Sequence, residues 1–251
     1  MCLLVLAWNA HPRYRVVLAA NRDEFHERPA EAMRWWEEPR ILAGRDLQAG
    51  GTWLAIDADG RFGVVTNYRD LQGPLPGAPS RGRLIPEFLA GSADAARYGS
   101  MLVREIDRYS GFNLLIGDRA HLSYVANRAP QPARELAQGI FGLSNHLLDT
   151  PWPKLVRTRR RFERLLANEG ISTVDVLAML TDPEPSQDHG LPDSGLPADL
   201  ERALSAPFIV NARYGTRSST VLLIARDGAV RVVEQRYDRD GHTIGRAEFD
   251  F

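Results

Sequence analysis

Asp59-Gly60 and Asp227-Gly228 each separate two short apolar runs, Trp53 to Ile56 from Phe62 to Thr66 and Val221 to Ala225 from Val230 to Val233. Asp-Gly between apolar runs is the strongest short hairpin signal a sequence carries, so these segments are committed to antiparallel pairing. Leu3 to Trp8 and Arg15 to Asn21, separated by Asn9-Ala10-His11-Pro12, read as a hairpin with a several-residue loop. Phe112 to Ile116 with Leu122 to Val125 reads as another, followed by a strand over Ile140 to Leu143. Apolar residues at three- and four-residue spacing predict helices over Leu84 to Leu89, Ala93 to Arg108, Lys154 to Asn168 and Thr173 to Leu180, as with Leu155, Phe162 and Leu166. Hairpins outnumber strand-helix-strand crossovers. The expected fold is therefore α+β, with mainly antiparallel sheets covered from outside by the helices. The Pro-, Asp- and Gly-rich stretch from Thr181 to Pro197 is expected to be a surface loop within one domain spanning 1–251, not a linker.

Composition removes whole classes of function. The 251 residues hold 31 Lys plus Arg against 32 Asp plus Glu, with 44% hydrophobic and 25% charged residues, as in a soluble globular protein. A net charge of -1 supplies no global positive field for nucleic acid. Lys154 is the only lysine, and Thr150-Pro151-Trp152-Pro153-Lys154 fits neither a Walker loop nor the lysine motifs of pyridoxal enzymes, kinases or serine penicillin-interactive enzymes. One cysteine forms no intramolecular disulfide and closes no cysteine-based zinc site. The six histidines show no HExxH spacing or tight cluster, so no metal and no organic cofactor are expected. The apolar start, Cys2 to Trp8, carries no basic leader and meets Asn9, His11 and Pro12 too soon for a signal peptide or spanning helix; a cytoplasmic protein without a transmembrane segment is expected.

The single thiol sits at position 2. If Met1 is removed, Cys2 carries both a thiol and a free α-amine with a reference pKa of roughly 7.7 to 8.0, so one residue supplies nucleophile and base. A loop centred near His11 and Pro12 sets Cys2 opposite residues 21 to 23, which are Asn21, Arg22 and Asp23. Alternation puts Val17, Ala19, Asn21 and Asp23 on one face, where the Asp23 carboxylate can orient the Cys2 amine. Free cysteine is ordinarily core filling, but its position and the acid opposite favour a reactive role.

Met1-Cys2, Leu18-Ala19-Ala20-Asn21-Arg22-Asp23-Glu24-Phe25 with Arg28-Pro29, Ala43-Gly44-Arg45-Asp46 running to Gly50-Gly51-Thr52-Trp53, Thr66-Asn67-Tyr68-Arg69, Gly111-Phe112-Asn113-Leu114-Leu115, Leu143-Ser144-Asn145, Pro151-Trp152-Pro153-Lys154 and Tyr214-Gly215-Thr216-Arg217-Ser218-Ser219-Thr220 are ordered along the whole chain. Together they resemble the NRDE family, also called the transport and Golgi organisation protein 2 family. The resemblance implies a fold similar to N-terminal-nucleophile hydrolases, a four-layer α/β/β/α sandwich with two antiparallel sheets facing each other. Choloylglycine hydrolases and penicillin V acylases, which cleave non-peptide amides with an N-terminal cysteine, are the relatives of that fold type whose working positions look similar here. By that likeness Cys2 is the nucleophile, Asp23 holds its amine, Asn67 and Asn145 contact the oxyanion and amine, and Arg217 steadies the thiolate. One position departs: those hydrolases carry an arginine three residues before the aspartate, where this chain has Ala20 and instead sets Arg22 beside Asp23.

Residue chemistry alone leaves Asn67 and Asn145 open between oxyanion donors and turn-forming asparagines. Arg22 and His146 are expected beside the site on the substrate side, and Trp53 belongs to a group of N-terminal tryptophans that either line an apolar pocket or pack the core. Arg157, Arg159, Arg160, Arg161 and Arg164 read as the solvated face of an amphipathic helix. Two functions are carried forward. One is a cysteine N-terminal-nucleophile amidohydrolase or acyltransferase with a small-molecule amide or acyl substrate; the other is a non-catalytic haem, lipid or acyl-CoA binding or trafficking protein. Neither substrate identity nor oligomeric state is encoded in a readable motif.

Overall fold

The computed structural model describes residues 3–70, 73–186, 191 and 195–251. In chain order its strands are β1 (Leu3–Trp8), β2 (Tyr14–Phe25), β3 (Ala30–Trp35), β4 (Ile41–Asp46), β5 (Leu54–Asp57), β6 (Phe62–Asn67), β7 (Phe112–Gly117), β8 (Leu122–Ala126), β9 (Ala133–Glu135), β10 (Gly139–Leu143), β11 (Tyr214–Ala225), β12 (Val230–Tyr237) and β13 (Thr243–Asp250). The helices are α1 (Leu84–Ala90), α2 (Ala95–Leu102), α3 (Pro153–Leu166), α4 (Thr173–Leu180) and α5 (Ala198–Leu204). The chain forms two compact units: Met1–Glu27 with Gln138–Ser144 and Leu148–Phe251, and Arg28–Ala137 with Asn145–Leu147.

The first unit holds a six-stranded antiparallel sheet in the order β10-β1-β2-β11-β12-β13. Every residue of β1 is buried, which is why Leu3 to Trp8 reads as a continuous apolar run instead of an alternating one. On one face Leu3, Val5, Val17, Ala19, Val221 and Leu223 pack with Leu155 and Phe162 of α3 and Val176 and Leu180 of α4. Pro153 starts α3, where its missing N–H costs nothing, and Ser172 caps α4 by accepting from the Asp175 N–H at 3.2 Å. Burying Leu155, Phe162 and Leu166 contributes roughly 1.5–3 kcal/mol each, so the apolar stripe fixes which side of α3 meets the sheet. The opposite side is arginine-rich as expected. Arg157 and Arg161 pair with buried Asp182 at 3.1 and 2.8 Å, and Arg159 with Asp149 and Glu163, so three of its arginines serve structural ion pairs.

The second unit holds a seven-stranded antiparallel sheet, ordered β3-β4-β5-β6-β7-β8-β9. Ile41, Ala43, Ala55, Leu114, Ile116 and Val125 pack with Leu84, Ile85 and Phe88 of α1 and Leu102 of α2. Two glycines of the family motifs are explained by close approach. A methyl group at Gly44 would lie 2.4 Å from the Trp53 ring, and one at Gly51 would lie 2.4 Å from the Gly82 backbone, which accepts from the Thr52 N–H at 2.9 Å.

The expected strands and helices are present, with three corrections of detail. The helix expected over 93–108 is α2 followed by a 3-10 segment, Val103–Arg108, whose tighter winding carries Ile106 into the core. Strands β3, β4, β9 and β13 were not anticipated: β3, β9 and β13 lie at sheet edges, where half-exposed polar residues blur the alternation, and β4 lies beside one, with no alternation in its buried half. Helix α5 was likewise not anticipated, because it directly follows the Pro-rich stretch. Part of that stretch, and the Cys2 on which the reactive-thiol expectation rests, lie outside the described residues.

Candidate active site

In the first unit the site is built on the polar continuation of β2. Leu3 pairs with Asn21, and β2 runs on beyond β1 to pair Arg22 with Ser218 and Asp23 with Thr216. Arg22 and Asp23 are 4% and 3% exposed, so both charges are withdrawn from solvent. The Thr216 hydroxyl donates to Asp23 Oδ1 at 2.7 Å and accepts from the Ile209 N–H at 2.9 Å, which fixes the carboxylate's orientation. Asn21 has no exposed surface. Its Nδ2 donates to the carbonyls of Leu180 and Pro207 at 2.9 and 2.8 Å, while its Oδ1 accepts from Ser219 Oγ at 2.6 Å. Asn21 thus joins the sheet to the end of α4, and Tyr237 extends the chain by donating to Ser219 Oγ at 3.1 Å. A bulge between Thr216 and Ser218 sets Arg217 out of the regular ladder. Its Nη1 donates to the carbonyls of Phe25 and His26 at 2.9 and 3.1 Å, and partial burial pulls its pKa below the ordinary guanidinium value.

The second unit gathers Asn67, Asn145 and His146. Thr66 and Asn113 face each other across β6 and β7. Asn113, fully buried, donates to Thr66 Oγ1 at 3.2 Å and the His146 carbonyl at 3.0 Å, and accepts from the Tyr124 hydroxyl at 2.6 Å. Asn145 Nδ2 donates to the Asn67 carbonyl at 3.1 Å, and the Arg69 N–H donates to the Asn145 carbonyl at 2.7 Å. These bonds lace 145–146 to the end of β6. The Asn67 side chain is exposed and Asn145 is 8% exposed. His146 Nε2 lies 3.0 Å from the Tyr68 hydroxyl with the rings 5.0 Å apart, and burial pushes its pKa below the ordinary value. Trp53, 6% exposed, fills the space above Gly44, a packing position.

Within one unit the structure therefore brings together Arg22, Asp23 and Arg217 on β2 and β11, and within the other Asn67, Asn145 and His146. Residue reasoning missed Thr216, Tyr68, Asn113 and Tyr124. Asn113 carried a signal, since a polar residue inside Phe112–Gly117 must find partners once buried; Thr216 and Tyr68 carried none apart from lying in family motifs. Among the described residues one carboxylate and imidazole group gathers within 4.8 Å, Asp238, Asp240 and His242 in the β12–β13 turn, and Asp238 Oδ1 there serves the turn by accepting from the Asp240 and His242 N–H groups.

A family model described as Transport and Golgi organisation 2 matches residues 1–239. The chain belongs to this family. The Transport and Golgi organization 2 homolog of Mus musculus is 32% identical over 256 residues, and the Bos taurus homolog 36% over 262 residues; each match covers 94% of this chain and 92% of the relative. The Homo sapiens homolog is 34% identical with the same coverage. Among solved structures, the Caenorhabditis elegans ortholog of N-acylethanolamine-hydrolyzing acid amidase matches with a TM-score of 0.50 at 10% identity, over 88% of this chain and 92% of that one. At that identity the likeness is one of fold. The family member described here has the expected α+β fold, an antiparallel sheet with helices in each unit. No helix among the described residues is long and apolar enough to cross a membrane.

Proposed function

We propose that this family member is a cysteine N-terminal-nucleophile amidohydrolase or acyltransferase acting in the cytoplasm on a small non-peptide amide or acyl compound. The observation that carries the reading is Asp23: a carboxylate buried at the end of β2 and oriented by Thr216, on the strand whose Asn21 pairs with Leu3. Asp23 lies two residues beyond Asn21 on that strand, and its carboxylate has the charge that would hold an α-amine on the residue before Leu3. The fold likeness to an amidase supports the same chemistry.

In this reading removal of Met1 frees the Cys2 amine, which takes the thiol proton as the sulfur attacks the substrate carbonyl. The proton passes to the departing amine as the C–N bond breaks, a thioester remains on Cys2, and water or a second amine attacks it to release the acyl group and restore the thiol. Asp23 holds the amine in place. Asn67, Asn145 and Arg217 keep the roles the family likeness implies, with Arg22 and His146 on the substrate side and Trp53 as packing beneath. The test compares native protein with Cys2→Ala on a panel of acyl amides and thioesters, with haem and acyl-CoA titrated alongside. Turnover that disappears in Cys2→Ala is expected. Ligand binding that is equal in both forms, with turnover in neither, would replace the enzyme by a carrier.

A further inference from the structure

The face of the six-stranded sheet turned away from α3 and α4 changes character along its length. Residues directly paired on antiparallel neighbours share a face, so the register sorts that face into rows. Leu18, Leu222 and Val232 form one row, each with no exposed surface. The next row is Ala20, Thr220 and Glu234, and the one beyond is Arg22, Ser218 and Arg236. An apolar face thus turns polar towards the end at which Leu3 pairs with Asn21.

Within those rows Ser218 and Thr220 are 4% and 1% exposed, yet neither hydroxyl has a hydrogen-bond partner among the described residues. Leaving a hydroxyl buried and unpaired costs roughly 1–3 kcal/mol, and valine would fill the volume of Thr220 without that cost. Two such groups on one strand, two residues apart, are not explained by packing. They stand roughly 7 Å apart, the two-residue repeat of a strand, which suits two acceptors joined by a short spacer. The charges around them are unequal. Arg22 and Arg236 lie in the Ser218 row and Arg217 in the adjoining bulge, where it feels the charges of Glu24 and Arg236, so three guanidinium groups stand against the carboxylates of Glu234 and Glu24.

We propose that Ser218 and Thr220 are the recognition pair of a subsite for a carboxylate-bearing amide, one hydroxyl donating to the ionised carboxylate and the other to the neighbouring amide carbonyl. The proposal names the substrate class of the reaction proposed above and rests on that reading for turnover, but not for binding. The full chain carrying Cys2→Ala, in which binding is read without turnover, is titrated by calorimetry with N-dodecanoylglycine and its uncharged analogue N-dodecanoylethanolamine. The glycine conjugate is expected to bind about tenfold more tightly. Adding Ser218→Ala or Thr220→Val should each weaken it by about three- to tenfold, the size of one ordinary net hydrogen bond; the variant that loses the carboxylate contact should move the ethanolamine affinity less than about twofold, and the one that loses the amide-carbonyl contact should weaken both probes alike. Melting of the ligand-free variants is measured in parallel, and Thr220→Val is expected to be at least as stable as its parent because no hydrogen bond is lost and an unpaired buried hydroxyl is removed. Equal affinity for the two probes, binding of neither, or unchanged affinity in both variants overturns the proposal. Failure of the native chain to hydrolyse any amide would remove the enzyme reading and leave carboxylate-selective binding standing; hydrolysis of uncharged amides without carboxylate preference would do the reverse.

Discussion

Asn21→Ala should be among the most damaging single substitutions in the chain, although Asn21 is not assigned a chemical step. Its side chain makes three buried hydrogen bonds, to the Leu180 and Pro207 carbonyls and from Ser219. Alanine strands two carbonyls and one hydroxyl in a place water does not reach. At about 1 kcal/mol net per bond, and more where a buried partner is left unpaired, the loss is about 3–5 kcal/mol. Domains are commonly stable by only about 5–15 kcal/mol, so roughly a fifth or more of the total is at stake. For a chain of this size the melting temperature should drop by on the order of 10 °C. Urea titration followed by circular dichroism reads the free energy directly, with a lower midpoint and an unchanged slope expected. Ser219→Ala in the Asn21→Ala background should cost less than in the native chain, because the two share a bond. A loss below about 1 kcal/mol, or strict additivity of the pair, would refute the claim that this network joins β2 to α4.

Gly51→Ala should destabilise by roughly 1–3 kcal/mol because its Cβ meets the Gly82 backbone at 2.4 Å; stability within error of the native chain would contradict that packing. Burial holds His146 below the ordinary imidazole pKa, so as pH falls below about 6.5 the unfolded chain takes up a proton that the folded chain resists. His146 therefore withdraws stability on the acid side and contributes nothing above that range, and an NMR titration midpoint above 6.5 would be the wrong sign. His121 is the opposite case: the hydrogen bond its ring donates to the Glu135 carboxylate raises its pKa, so its contribution is present below the ordinary value and is lost as pH rises through the folded value. Glu135→Gln should lower the His121 midpoint. The chain passes between the two compact units four times, and calorimetry should show one unfolding transition, as expected of a single domain over 1–251; two resolved transitions would contradict it.

Asp-Gly pairs and continuous apolar runs announced the central strands because local turn chemistry and burial on both faces act in the same direction there. Register was within reach for β1 and β2, since the length of the Asn9 to Pro12 loop restricts it and Leu3 meets Asn21. The edge strand β13 was not, because its residues alternate between exposed and half-buried and carry Arg246, Glu248 and Asp250. Site residues divide in the same way. Asp23 was found from alternation and its place in a motif, but its partner Thr216 lies 193 positions away, and nothing local to either residue foretells that bond. The role of Asn21 as a three-way structural clamp was hidden for the same reason: two of its partners are backbone carbonyls, whose positions only the folded chain defines.

The central claim is that Cys2 is an acyl-accepting nucleophile oriented by Asp23. Mass spectrometry of the purified protein, quenched in acid during reaction with N-dodecanoylglycine and N-dodecanoylethanolamine and with p-nitrophenyl dodecanoate as an activated acyl donor, tests it most directly. The account predicts a chain lacking Met1, an acyl adduct mapped to the N-terminal peptide, no adduct in Cys2→Ala and a slower appearance in Asp23→Asn, where the amine loses its charged partner. Retention of Met1 in an otherwise active protein, no adduct from any of the three donors, or an adduct that persists in Cys2→Ala would contradict it.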